Sequence, residues 1–432
     1  MSDVTRIGRY SPETFEAEWL EGATRPAVGA RRRLTARPHC GQPQRMERYT
    51  VISADCHAGA TDSRGGFTAY VDAPYLDRLV EHTAQKRREF NESMEKLFDP
   101  EFMAEQDDTD AAVGGGRSGA FDADRRIEEL EADGIVADVI FPDGTQDNTT
   151  PFDASSGPGA KGADWELQTI GAWAYNRWLA DFVGQHPGRH AGIAVITIHD
   201  LDETVRQVTW AREHGLRGVL LPAGVGTLPF YNHPRYEPLW SVCEELAMPI
   251  HTHVGSAVPD YGDLPGANVL FAMESPFFSH RPFWFLLWGG VFENHPNLTM
   301  VFAEQGSDWV PDTLQMMDNM YDYMFKHEQQ RLKLRPSEYW RRQCYVEAMF
   351  FRASEAKLRH KIGIDNMLWG SDYPHYEGCW PNSRKALHDA LHDVPEDEIR
   401  KILSENAARV YGFDLAMLDE IAARVGPTYA EI

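Results

Sequence analysis

The sequence has no apolar run of the roughly 20 residues that a bilayer crossing needs, so no membrane span is expected. It also lacks the charged-then-apolar opening of a secretory leader, which points to a cytoplasmic protein. Cysteine is scarce: Cys40, Cys56, Cys243, Cys344 and Cys379 are odd in number, scattered and without CxxC spacing. That excludes a disulfide framework or a structural zinc cluster and fits reduced thiols. Net positive charge is missing too. A formal charge of −24 argues against nucleic acid or an anionic membrane as partner, and leaves a small-molecule substrate. A Gly-rich phosphate loop after the first strand is likewise absent, which disfavours an open, doubly wound nucleotide-binding sheet.

What is present is apolar material for a large core, with 12 Trp and 21 Phe among 432 residues. Residues 1–46 hold eight Arg against five acidic residues, with Arg31-Arg32-Arg33 and no periodicity, and read as an N-terminal arm, mobile or strapped across the fold. A transit peptide is disfavoured by Glu13, Glu16, Glu18 and Glu21. Met46 offers an alternative start just before the first strand. Residues 47–432 are read as one domain.

Short apolar runs then alternate with amphipathic ones. The strands expected are Thr50–Asp55, Asp138–Pro142, Ala191–Ile198, Gly218–Pro222, Pro249–His253, Leu298–Glu304, Tyr345–Phe351 and Met367–Asp372. Helices are expected at Asp202–His214, stopped by Gly215, at Tyr236–Ala247, and at Pro395–Tyr411 with Pro at its first position. Eight strands separated mostly by helices are parallel and close into an α/β (β/α)₈ TIM-like barrel. Two insertions flank the second strand. Residues 74–130 carry helical patterns (Leu76–Lys96, Arg125–Ala132) around Gly114-Gly115-Gly116, and 143–164 form a long polar loop. They are expected to cap the barrel mouth or, alternatively, to be plain surface elaboration.

Polar residues recur where these strands end. Asp55-x-His57 closes the first, His251-Thr252-His253 the fifth, Glu304 the sixth and Ser371-Asp372 the eighth. In such a barrel these ends converge on one face. Residues i and i+2 of a strand share a side, so Asp55 can act with His57, and of His251 and His253 one is a ligand and the other structural. Nitrogen and oxygen ligands in this number suit one or two divalent ions of zinc, iron or manganese.

In this order along the chain stand Ile52-Ser-Ala-Asp-Cys-His57, Ala174-Tyr-Asn176, His186-Pro-Gly-Arg189 and Pro249-Ile-His-Thr-His-Val-Gly255. Then follow Phe302-Ala-Glu-Gln-Gly-Ser-Asp-Trp-Val-Pro311, Leu368-Trp-Gly-Ser-Asp-Tyr-Pro-His375 and Glu405-Asn-Ala-Ala-Arg409. From about residue 49 to 412 the chain resembles the amidohydrolase-related family typified by aminocarboxymuconate semialdehyde decarboxylase. The resemblance implies that Asp55, His57 and His253 bind a metal and that Asp372 binds it or holds its water. The family's usual first motif is His-x-His, here Asp-x-His. Many members carry His where this chain has Glu304, which is here an extra ligand, a bridge to a second metal or a general base.

Each residue has a structural alternative. Asp55 can be a cap or loop residue, His57 a satisfied core histidine, Asp372 a turn former and Glu304 a salt-bridge partner. His280 and His375 are candidate proton carriers or merely surface or capping residues. The same ligands allow two chemistries. Hydrolysis is favoured: the metal activates water, Asp372 takes its proton, and an amide, ester or thioester is cleaved. The acidic site, with no Arg cluster beyond the nearby Arg281 to meet a carboxylate, is the reason. The alternative is decarboxylation of an aromatic or unsaturated acid. A non-catalytic metal-binding barrel is the third reading, and a homodimer is possible for barrels of this size.

Overall fold

The computed structural model describes residues 47–61, 64–97, 117–143, 150–156, 164–255, 257–259, 261–262, 264–348 and 351–432. The expected arm at 1–46 and the Gly114–Gly116 break lie outside the described residues, as does most of the loop expected at 143–164.

Eight strands, β1 (Ile52–His57), β2 (Ala137–Phe141), β3 (His190–Val195), β4 (Gly218–Leu220), β5 (Ile250–His253), β6 (Met300–Ala303), β7 (Cys344–Ala348) and β8 (Met367–Trp369), pair in sequence order. Every neighbouring pair is parallel. The ring closes where the chain beyond β8 meets β1: Asp372 N donates to Asp55 O at 3.0 Å and His57 N to Tyr373 O at 2.7 Å. The expected (β/α)₈ barrel is therefore the observed fold.

Strands covered on both faces can be apolar throughout, which is why they show as short Val-, Ile- and Phe-rich runs. Ile52, Ala54, Val139, Ile193, Val301 and Leu368 belong to one core cluster, which Tyr411 and Leu418 of the C-terminal helices join. A second, larger cluster includes residues of the surrounding helices. Helix boundaries follow local chemistry. Asp200 caps helix Leu201–Glu213 by accepting from the N–H groups of Asp202 and Glu203, and Gly215 (φ +85°) takes the left-handed conformation that ends it. The segment expected as one helix from Pro395 is helical from Glu396 to Tyr411, and residues Lys401–Glu405 within it are wound more widely.

Helices Ala123–Ala132 and Ser383–Leu391 are joined by Asp133, whose carboxylate accepts from the Ser383 N–H at 3.1 and 3.3 Å. Burial pushes this carboxyl up to about 7 from 3.8. The folded state thus holds the proton more tightly than the unfolded one. This contribution to stability is complete below pH 3.8 and is lost as pH rises through 7, a cost of up to about 4 kcal/mol above that point. Asp133→Asn keeps the acceptor without the charge. It should raise the thermal midpoint by several degrees at pH 8 and by less at pH 5; an equal shift at both would contradict this linkage.

Candidate metal centre

Asp55 and His57 stand at the end of β1, where the pairing with β2 shifts register between Ser53 and Cys56. Both are buried. His57 Nδ1 donates to Pro142 O at 3.0 Å, which fixes the tautomer and leaves Nε2 facing inward. That nitrogen lies 3.5 Å from Asp55 Oδ1 and 3.3 Å from Asp372 Oδ1. Arg126, itself fully buried, donates to the His57 carbonyl at 2.9 Å and pairs with Asp138 at 2.6 Å, tying the end of β1 to β2.

His253, at the end of β5, presents Nε2 to Asp55 Oδ1 at 3.4 Å and Nδ1 to Glu304 Oε2 at 3.2 Å. His251 turns away. Its Nδ1 meets Val219 O at 3.1 Å and its Nε2 meets Tyr411 Oη at 3.0 Å, so both nitrogens are engaged in the barrel interior. Glu304 and Asp372 follow β6 and β8 and both take φ +57°. Non-glycine residues held there cost about 1–3 kcal/mol and concentrate at functional sites.

Three overlapping groups of ligand-capable atoms result, each within 4.8 Å of one another: Asp55, His57, His253 and Glu304; His57, Asp372 and His375; and Glu304, Asp372, His375 and Glu377. His57 and Glu304 link Asp372 to the rest. Asp55 Oδ2, His57 Nε2 and Asp372 Oδ2 are buried without a hydrogen bond. An unsatisfied buried polar group costs about 1–3 kcal/mol, more when charged, and a divalent cation among these atoms removes that cost. The donor set fits such an ion.

The electrostatics divide the carboxylates. Burial, then the charges of Asp372 and Asp55, push Glu304 well above the usual carboxylate range. Asp372 goes the other way: burial opposes ionisation, but the imidazoles of His375 and His57 hold it low. His375 Nδ1 lies 2.8 Å from Asp372 Oδ1 and its ring stacks on His57 at 4.0 Å. Against burial, Asp372 pushes His375 up to about 10. Arg117 holds this turn by donating to Pro374 O and His375 O at 2.9 and 2.8 Å.

None of the three groups includes His280. Its ring stacks on Trp309 at 4.1 Å, and burial pushes it down to about 4. Arg281 lies over the rings of Phe230 and Phe285. Glu347, the last residue but one of β7, has no part in the sequence-based expectations. It is fully buried and accepts from the Glu304 N–H at 2.8 Å. A lone Glu in an otherwise apolar strand was its only signal.

A family model described as Amidohydrolase matches residues 122–413. The chain is 25% identical over 257 residues to a gamma-resorcylate decarboxylase of Rhodococcus jostii, covering 55% of this chain and 75% of that protein. It is 23% identical over 299 residues to the 2-amino-3-carboxymuconate-6-semialdehyde decarboxylase of Dictyostelium discoideum, covering 69% and 78%. Among solved structures, the 5-carboxyvanillate decarboxylase of Novosphingobium aromaticivorans, complexed with manganese and 4-hydroxy-3-methoxy-5-nitrobenzoic acid, shares the fold. Its TM-score is 0.62 at 18% identity, over 84% of this chain and 96% of that one.

The relatives from Rhodococcus jostii and Dictyostelium discoideum overturn the expectation of hydrolysis, since both are decarboxylases. The charge argument behind it counted Asp55, Glu304 and Asp372 alone. It omitted the imidazoles of His57, His253 and His375 interleaved with them, and the burial that favours the neutral form of Glu304.

Proposed function

Because the chain belongs to the amidohydrolase family and is an enzyme of that superfamily, we propose that it removes carbon dioxide from a hydroxylated aromatic carboxylic acid without oxidation. Asp55, His57 and His253 would hold a divalent cation, Asp372 would join them from beside His57, and Glu304 would steady the His253 ring from its other nitrogen. When bound, the cation supplies the positive charge that gathers the substrate's carboxylate and a neighbouring phenolic oxygen. A set rich in carboxylates suits manganese better than a thiolate-seeking ion.

The reaction needs a proton at the ring carbon that bears the carboxylate. The carbon–carbon bond then breaks, its electron pair restores the aromatic ring, and carbon dioxide leaves. His375 stands 2.8 Å from Asp372, which pushes it up, so this pair would be the proton source: His375 would store the proton and Asp372 would deliver it. Arg117 and the stack on His57 keep the donor ring in place. The observation that carries this reading is the buried Asp372 carboxylate, whose Oδ1 lies 3.3 Å from His57 Nε2 and 2.8 Å from His375 Nδ1.

The test is a product assay on protein loaded with manganese. Carbon dioxide should appear from at least one of gamma-resorcylate, 5-carboxyvanillate and related hydroxybenzoates. A matched set of esters, amides and thioesters should yield no acid. Acid release from the second set with no carbon dioxide from the first would overturn the proposal.

A further inference from the structure

Beneath the ligand cluster lies a residue that reaches two of its members without belonging to any of the three ligand groups. Glu347 sits in β7, opposite Leu368 of β8, and is fully buried. One carboxylate oxygen accepts from the Glu304 N–H at 2.8 Å, while the other has no hydrogen-bond partner. The second oxygen lies under Gly370, on the stretch of chain between β8 and Asp372. A methyl group at Gly370 would collide with Glu347 Oε1 and come within 2.6 Å of Asp55 Cβ. Glycine at 370 is what lets Glu347 and Asp55 share this space.

The hydrogen bond to Glu304 matters because of the backbone there. At φ +57° the peptide of Glu304 is held in a conformation that non-glycine residues rarely adopt, and it must be fixed from outside. Its carboxylate in turn stands 3.2 Å from His253 Nδ1, while Nε2 of the same ring faces Asp55. A chain of contacts therefore runs from Glu347 through Glu304 to His253, with Asp55 touching its far end.

Building on the cation-site reading above, we infer that Glu347, seated under Gly370, is a positioning residue that sets the affinity of this centre for its cation. It acts by length and shape: it accepts one N–H and wedges between two strand ends. Partners of this kind behind metal ligands typically change affinity by about 10- to 100-fold when altered.

Two variants of opposite character separate side-chain length from the carboxyl group itself. Glu347→Gln keeps the length and an oxygen that accepts the Glu304 N–H, but replaces the carboxyl group with an amide. Glu347→Asp keeps the carboxyl group but is one methylene too short to reach. Manganese binding is measured by titration calorimetry on the full chain, and thermal unfolding of the metal-free proteins is measured beside it. Glu347→Gln should bind manganese within about threefold of the unaltered protein, whereas Glu347→Asp and Gly370→Ala should bind about 10- to 100-fold more weakly.

The reverse order, with Gln weakened and Asp retained, would overturn the inference in favour of a purely electrostatic role. So would unchanged affinity in all three variants, with only the unfolding midpoints lowered. Both outcomes leave the cation site standing. Failure of the unaltered protein to bind manganese at all would overturn the cation-site reading and this inference together.

Discussion

Asp372→Asn should lower the rate of carbon dioxide release by about 10³-fold, inside the range that a positioned acid or base contributes, with the fold intact. Asparagine is nearly the same size and tolerates the left-handed backbone that Asp372 adopts at φ +57°, so the turn after β8 has no reason to rearrange. What changes is charge. The amide cannot accept the proton of His375 and pass it on, and it presents one neutral oxygen where two buried carboxylate oxygens stood. His375 also loses the partner that pushes it up to about 10, so burial pulls its pKa down and the stored proton is released nearer neutrality. The loss should therefore fall on kcat more than on KM. Steady-state kinetics at saturating manganese, with circular dichroism as a check on folding, decide the matter. Retention of a tenth of the activity would remove Asp372 from the proton path.

The barrel was legible because its strands are buried on both faces. Runs such as Val139-Ile140-Phe141 and Met300-Val301-Phe302 have no polar face to show, and the intervening helices do. Boundaries slipped by a few residues where polar strand ends belong to the site: the last expected strand ran to Asp372, but β8 stops at Trp369. That His57 and His253 meet was readable because strand ends share one rim, and their rings lie 5.0 Å apart.

Contacts between distant strands were not readable. Glu347 acquires meaning only through the pairing of β7 with β8 and the small residue at 370. Arg126 and Asp138 are twelve residues apart, yet what unites them is the packing of a helix against β2. Nor does the sequence say which nitrogen of His253 faces Glu304. His280, expected as a proton carrier or a surface or capping residue, has its ring stacked on Trp309. The reaction class was missed for a related reason: the same ligand types serve water activation and decarboxylation, and net charge counts carboxylates without the imidazoles placed between them by the fold.

His57→Ala is expected to abolish both manganese binding and carbon dioxide release, the latter by three orders of magnitude or more. The single ring nitrogen at the centre explains why the effect is so large. Nε2 of His57 is within 3.5 Å of Asp55 Oδ1 and of Asp372 Oδ1, so it stands between two buried carboxylates. Its other nitrogen is committed to Pro142 O, and its carbonyl to Arg126, so no side chain can swing in to replace it. Without the imidazole the two carboxylates face each other across a gap, and His375 loses the ring on which it stacks. Chelation makes the discriminating comparison. The unaltered protein stripped of metal should lose activity and regain it on adding manganese, whereas His57→Ala should stay inactive at manganese concentrations that fully restore the parent. Recovery of the variant by added metal would mean that Asp55, His253 and Asp372 suffice, and that His57 orients substrate instead of holding the ion.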